Sequence, residues 1–121
     1  MLTIDHVQIA MPAGGEAAAR AFFSDLLGLT EIAKPAELAA NGGCWFGVGA
    51  LQIHLGVDPN FCAAKKAHVA LRTPALAAVR GALATAGHAI RDDTPVDGRA
   101  RFFTFDPFGN RIEFIDGGTT P

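Results

Sequence analysis

Long apolar runs, clusters of basic residues and paired cysteines are what this sequence lacks, and each absence removes a class of function. No stretch approaches the roughly 20 apolar residues needed to span a bilayer. The start, Met1-Leu2-Thr3-Ile4-Asp5, has no basic region leading an apolar core, so no export signal is expected and the chain reads as cytoplasmic. Ten Lys and Arg against 12 Asp and Glu give a net charge of -2 and a pI near 6.0, which leaves no broad basic field for nucleic acid or an anionic membrane. A small molecule is the expected partner. Cys44 and Cys62 form no C-x-x-C pair, and two reduced thiols are expected in such a chain. Half the residues are apolar and only 18% are charged, a balance that excludes disorder.

At 121 residues the chain fits one domain, 1–121, with no length for a second independent core. That domain contains an internal duplication. His6-Val7-Gln8-Ile9-Ala10-Met11-Pro12 aligns with His68-Val69-Ala70-Leu71-Arg72-Thr73-Pro74, an offset of 68 − 6 = 62. Leu51-Gln52-Ile53-His54-Leu55 aligns with Asn110-Arg111-Ile112-Glu113-Phe114, an offset of 113 − 54 = 59. Two modules, 1–60 and 61–121, follow from the near-constant offset.

Each module opens with a strand of period two: Val7 and Ile9, or Val69 and Leu71, point one way while His6 and Gln8, or His68 and Ala70, point the other. A helix is expected next, from about Glu16 to Leu27 with Phe22, Phe23, Leu26 and Leu27 buried and Gly28 as its left-handed stop. The second helix has Thr73 as cap, Pro74 in its first turn, a stripe of Leu76, Val79 and Leu83, and Gly87 as its end. Three extended runs follow in each module: Thr30–Ala33, Cys44–Val48 and Leu51–Gly56, then His88–Arg91, Arg101–Phe105 and Arg111–Asp116. Asp106-Pro107-Phe108-Gly109-Asn110 is a turn closing the last hairpin. Residues 35–43 and 92–98 read as loops. The fold class expected is α+β: two tandem β-α-β-β-β modules forming a curved mixed sheet around a cup, helices on its outer face.

Three of the four histidines, His6, His54 and His68, fall at positions the duplication makes equivalent, and Glu113 fills the fourth. Their neighbours are apolar, so those can pack under the helices while His or Glu projects from the other face. A lone strand histidine is more often a hydrogen-bonded wall residue than a ligand. The coincidence of four such positions favours a metal, since an apolar-flanked carboxylate needs a compensating cation or donor when buried. Imidazole and carboxylate donors suit Zn, Ni, Mn or Fe(II), and the absence of thiolates among them argues against a closed structural zinc site. His54 is the candidate base or fourth ligand. His88, outside the pattern, reads as a surface residue. Arg72 and Arg111 share parity with His68 and Glu113; either can meet an anionic substrate group, the alternative being a salt bridge at the rim.

His-Val-x-Ile near the start, Phe-Phe-x-x-Leu-Leu-Gly-Leu at the first helix end, a second His-Val-x-Leu, and the closing Asp-Pro-Phe-Gly-Asn-Arg-Ile-Glu-Phe together resemble the vicinal-oxygen-chelate superfamily. The resemblance covers essentially the whole chain. That group includes glyoxalase I, extradiol dioxygenases, fosfomycin-resistance thiol transferases and bleomycin-binding proteins. It implies paired β-α-β-β-β modules, commonly in a homodimer, with His6, His68 and Glu113 as ligands of a divalent metal. It also implies a metal-dependent enzyme of the glyoxalase or dioxygenase type, or alternatively a metal-free drug-sequestering module of the bleomycin-resistance type. His54 departs from glyoxalase I-like members, which carry Glu there. The chain also has no tyrosine, which many extradiol enzymes place beside the substrate.

Overall fold

Alternation of apolar and polar residues in His6-Val7-Gln8-Ile9 produces β1 (His6–Met11), the first strand of a computed structural model that describes residues 1–117. Residues 118–121, the end of the expected domain, lie outside the described residues. The chain divides into two compact units, Met1–Ala63 and a second beginning at Ala64, a division three residues beyond the one expected from the repeat.

In the first unit, β1 is followed by α1 (Glu16–Ala19), which continues directly into a π-helical segment, Arg20–Leu26. Then come β2 (Thr30–Ile32), a 3₁₀ segment Ala36–Asn41, β3 (Cys44–Val48) and β4 (Leu51–Val57). The sheet order is β1-β4-β3-β2, with β1 parallel to β4 and the other pairs antiparallel. Phe22 and Phe23, adjacent in sequence, are both buried, and the Phe23 ring lies 5.5 Å from that of Phe46 on β3. The wider turn of the π segment brings successive side chains closer to one face than an α-helix would. Gly28, at φ 78°, ends the helix, as expected. The N–H groups of Gly28 and Leu29 donate back to Ser24 and Phe23.

The second unit repeats this plan. It contains β5 (Val69–Thr73), α2 (Leu76–Thr85), β6 (Arg91–Asp92), β7 (Arg101–Phe105) and β8 (Arg111–Asp116), in the order β5-β8-β7-β6 with β5 parallel to β8. The structure thus has one four-stranded mixed sheet per module. Thr73 Oγ1 accepts the Ala75 N–H, which places the helix start at Leu76, beyond Pro74. Gly87, at φ 89°, closes α2: its N–H donates to Ala84 O and that of His88 to Leu83 O. This closure takes up His88, the residue expected to begin a strand; β6 starts at Arg91 and is two residues long. His88 is half-buried, not a surface residue, and its ring donates from Nδ1 to the Phe105 carbonyl.

The core of each unit lies between its helix and one sheet face. In the first it comprises Met11, Cys44, Phe46, Ile53 and Leu55 with the helix phenylalanines; in the second, Phe102, Ile112 and Phe114 with Leu83. The Asp106–Asn110 turn is a buried polar knot. Asp106 Oδ1 accepts the Phe108 and Asn110 N–H groups, Oδ2 accepts from Asn110 Nδ2, and Asn110 Oδ1 accepts the Ala64 N–H at 2.9 Å. Burial pushes the Asp106 carboxyl above its ordinary value, and these donors pull against that. Both cysteines are free, Cys44 with its thiol pushed up to about 11 by burial. Among the described residues no helix is long and apolar enough to cross a membrane.

Candidate functional site

The sheet face opposite the core carries the candidate side chains in both units, because residues paired in register share a face. In the first unit β4 puts His54 opposite Gln8 of β1 and Trp45 of β3. Trp45, His54 and His6 form a stack: Trp45 and His54 centroids are 3.8 Å apart with planes 2° apart, and His54 and His6 are 4.2 Å apart at 14°. Two nearly parallel rings at that spacing cannot both aim in-plane lone pairs at one ion. His54 therefore does not join His6 as a ligand in this arrangement. His54 is 5% exposed, and its Nε2 bonds the Gln52 side-chain oxygen at 2.8 Å. Burial first, and then the neighbouring His6, lowers its pKa, which favours the neutral ring. His6 bonds Asp5 Oδ2 through Nδ1 at 2.8 Å, and that contact presents Nε2 as the remaining donor.

Beside this stack lies a cavity of about 610 Å³ lined by Gln8, Trp45, Gly56, Leu38 and Asn41. The Ala36–Asn41 segment, expected as loop, supplies Leu38 and Asn41 to its rim. At Gly56 a Cβ would come within 2.7 Å of the Gln8 side-chain amide, so a larger residue there would displace that amide.

In the second unit Glu113 of β8 pairs with Ala70 of β5 and Phe103 of β7, and His68 precedes β5 with the parity of Ala70. His68 Nδ1 donates to the Lys66 carbonyl at 2.9 Å, and Nε2 lies 2.8 Å from Glu113 Oε1. A carbonyl only accepts, so Nδ1 is the donor in that bond and Nε2 is the nitrogen that faces Glu113. Glu113 is 7% exposed, and its other oxygen lies 3.5 Å from Arg101 Nη1. The need of an apolar-flanked carboxylate for compensation is thereby met. Phe103 lies under three groups: the His68 ring edge at 5.3 Å, Arg101 at 5.3 Å and Arg111 at 3.7 Å from its centroid.

The structure brings the expected residues together in pairs, His6 with His54 and His68 with Glu113. Among the described residues no group of three or more His, Cys, Asp or Glu is placed to hold a metal ion. Taken singly, each of the two candidate histidines has the chemistry of a ligand: His6 and His68 both have Nδ1 tied to an oxygen acceptor, the usual outer-shell arrangement of a ligating imidazole. Arg111 lines a cavity beside Phe103, whereas Arg72 stands on the same sheet face with its stem laid over Gly117, where a Cβ would meet it at 1.9 Å. Asp5, Trp45, Gln52 and Arg101 carried no assigned role in the sequence. Asp5 adjoins His6 and Gln52 shares a strand face with His54, so those two had a local signal, whereas Trp45 and Arg101 become readable only once the register is known.

No protein-family profile matches the chain, and neither does any curated protein. Solved structures do. A protein assigned to the glyoxalase family from Bacillus anthracis superposes with a TM-score of 0.91 at 44% identity, covering 97% of this chain and 96% of that one. The genomically encoded fosfomycin resistance protein FosX from Listeria monocytogenes matches with a TM-score of 0.77 at 13% identity, over 97% and 94%. A glyoxalase/dioxygenase from Nostoc punctiforme matches with a TM-score of 0.77 at 21% identity, over 97% and 92%. The last two share the fold. The first, with its identity sustained along nearly the whole of both chains, establishes kinship, and the chain belongs to the glyoxalase family of the vicinal-oxygen-chelate superfamily.

Proposed function

We propose that the protein is a divalent-metal-dependent enzyme of the glyoxalase/dioxygenase type, acting on a small oxygen-bearing substrate, with His6, His68 and Glu113 as the metal ligands. The observation that carries this reading is the His68–Glu113 contact at 2.8 Å: a buried carboxylate and an imidazole whose other nitrogen is already engaged. His6, His68 and Glu113 would hold the divalent ion, and its binding would replace the His68–Glu113 hydrogen bond. When bound, the ion supplies Lewis acidity to two neighbouring substrate oxygens.

The chain's own residues supply the rest. The Lys66 carbonyl and Asp5 hold the tautomers of His68 and His6, so that each offers Nε2. His54, excluded as a ligand by its stack and favoured in the neutral form, is the proposed proton acceptor. Trp45 covers one face of that ring and limits water there. Arg72 and Arg111 are the proposed contacts for an acidic group of the substrate. Two free thiols accord with a cytoplasmic, reducing setting. A homodimer is also proposed, because among the described residues β1 and β5 each leave an outer edge of their sheet unpaired.

Elemental analysis of tag-free protein tests the metal. The expected result is near-stoichiometric Zn, Ni, Mn or Fe in the native protein and its loss in His68→Ala and Glu113→Ala. Native protein that stays metal-free after dialysis against each ion would overturn the proposal and leave a binding module without metal chemistry.

A further inference from the structure

The proposed metal centre accounts for His68 and Glu113 but not for the cationic concavity beside them. A cavity of about 720 Å³ opens next to Glu113's neighbour Phe103, lined by Lys65, Arg91, Arg111, Phe103 and Phe105. Asp92 and Asp93 also border it, but both are already engaged. Asp92 Oδ2 accepts from Arg80 Nη2 at 2.6 Å, and Asp93 pairs with Arg101 Nη2 at 3.4 Å. Among the described residues no carboxylate pairs with Lys65, Arg91 or Arg111. The lining therefore holds three cations against two carboxylates, a net of 3 − 2 = +1, and both carboxylates are turned to arginines outside the lining.

Two of these cations are held on aromatic rings. The Arg111 guanidinium lies 3.7 Å from the Phe103 centroid and donates toward the Lys65 carbonyl at 3.5 Å; that of Arg91 lies 5.6 Å from the Phe105 centroid. A guanidinium seated on a ring keeps its fork oriented and loses less entropy on accepting a ligand. Like charges gathered around one concavity also repel each other, and a bound anion relieves that repulsion. Arginines on rings often serve packing alone. Here three cations that no described carboxylate pairs with converge on one cavity beside Phe103, which packing does not require.

We propose that this cavity is an anion subsite, and that it receives the acidic group of the substrate, a carboxylate or a phosphoryl or phosphonyl group. Anion binding stands on the cavity alone, whereas its assignment to the substrate rests on the metal-dependent reading. Arg111 and Glu113 are two residues apart on one strand face, about 7 Å along the strand. The substrate class is accordingly a compact acid whose charged end lies about that far from the oxygens at the metal ligands.

The test is a titration of metal-stripped, full-length protein with inorganic phosphate, acetate and the neutral control acetamide, read by amide shifts of residues 101–111. Saturable shifts with phosphate or acetate and none with acetamide are expected. Tighter phosphate assigns a phosphoryl-type group and tighter acetate a carboxylate. Arg91→Gln and Lys65→Gln, both at exposed positions, are each expected to weaken binding about tenfold. His68→Ala should lose metal while keeping its anion affinity, so the two readings fail separately. Equal binding of acetamide, absence of saturation, or indifference to both substitutions would overturn the anion subsite.

Discussion

Glu16 lies in the first turn of α1, where a carboxylate is favoured by the helix dipole, and its Oε2 accepts the Gly43 N–H at 2.7 Å. That bond lowers its pKa from the ordinary 4.5, with Arg20 and Lys34 adding to the effect. Its folded-state value is the lower one. The bond therefore contributes stability above pH 4.5 that is lost as pH falls through the folded-state value. Glu16→Ala is expected to cost about 1 kcal/mol at pH 7 in urea unfolding, and nothing once the medium is acidic enough to protonate the native carboxyl. An equal loss at every pH would count against this account. Glu113 shows how far single positions are readable in advance. Its apolar neighbours imply a buried carboxylate in need of a partner, and the repeat points to His68. Arg101 is not readable that way, because its reach to Glu113 depends on the β7–β8 register, which local patterning does not specify.

Strands with strict alternation and long extended runs were the elements most plainly written in the chain: β3, β7 and β8 have the expected bounds. The elements that differ do so for backbone reasons. The π-helical continuation of α1 brings two adjacent phenylalanines under one sheet, and β6 starts late, after the Schellman closure of α2 takes up Gly87 and His88. The Asp106–Asn110 turn was recognisable from its Pro and Gly, yet its reach back to Ala64 was not, since a contact between residues 46 positions apart has no local signature. Asn110 is 2% exposed and bonds both Asp106 and Ala64. Asn110→Ala leaves the Ala64 N–H without its acceptor and Asp106 Oδ2 without its donor. We expect a loss of about 2–4 kcal/mol of unfolding free energy, read from a lowered denaturant midpoint at unchanged m, with metal content per folded molecule unchanged. A neutral outcome would mean that the turn holds without this knot.

Charge is divided unequally along the molecule, and the overall value of -2 conceals it. Residues 1–63 contain 2 Lys and Arg against 6 Asp and Glu, a net of 2 − 6 = -4; the rest of the chain contains 8 against 6, a net of +2. The cations of the proposed anion subsite all belong to the second set, so this division, visible without coordinates, is the signal that could have located it. It also bears on assembly. A two-fold arrangement that sets the acidic module of one chain against the basic module of another is electrostatically favourable, and the outer edges of β1 and β5, unpaired among the described residues, offer backbone donors and acceptors for it. One chain is 12.6 kDa, so light scattering at micromolar concentration should report 2 × 12.6 = 25.2 kDa. If opposite charge contributes to the contact, the mass should fall towards the monomer value as salt shortens the screening length. A monomer mass at low salt would remove the homodimer, and a dimer mass indifferent to salt would assign its cohesion to strand edges and apolar contacts instead.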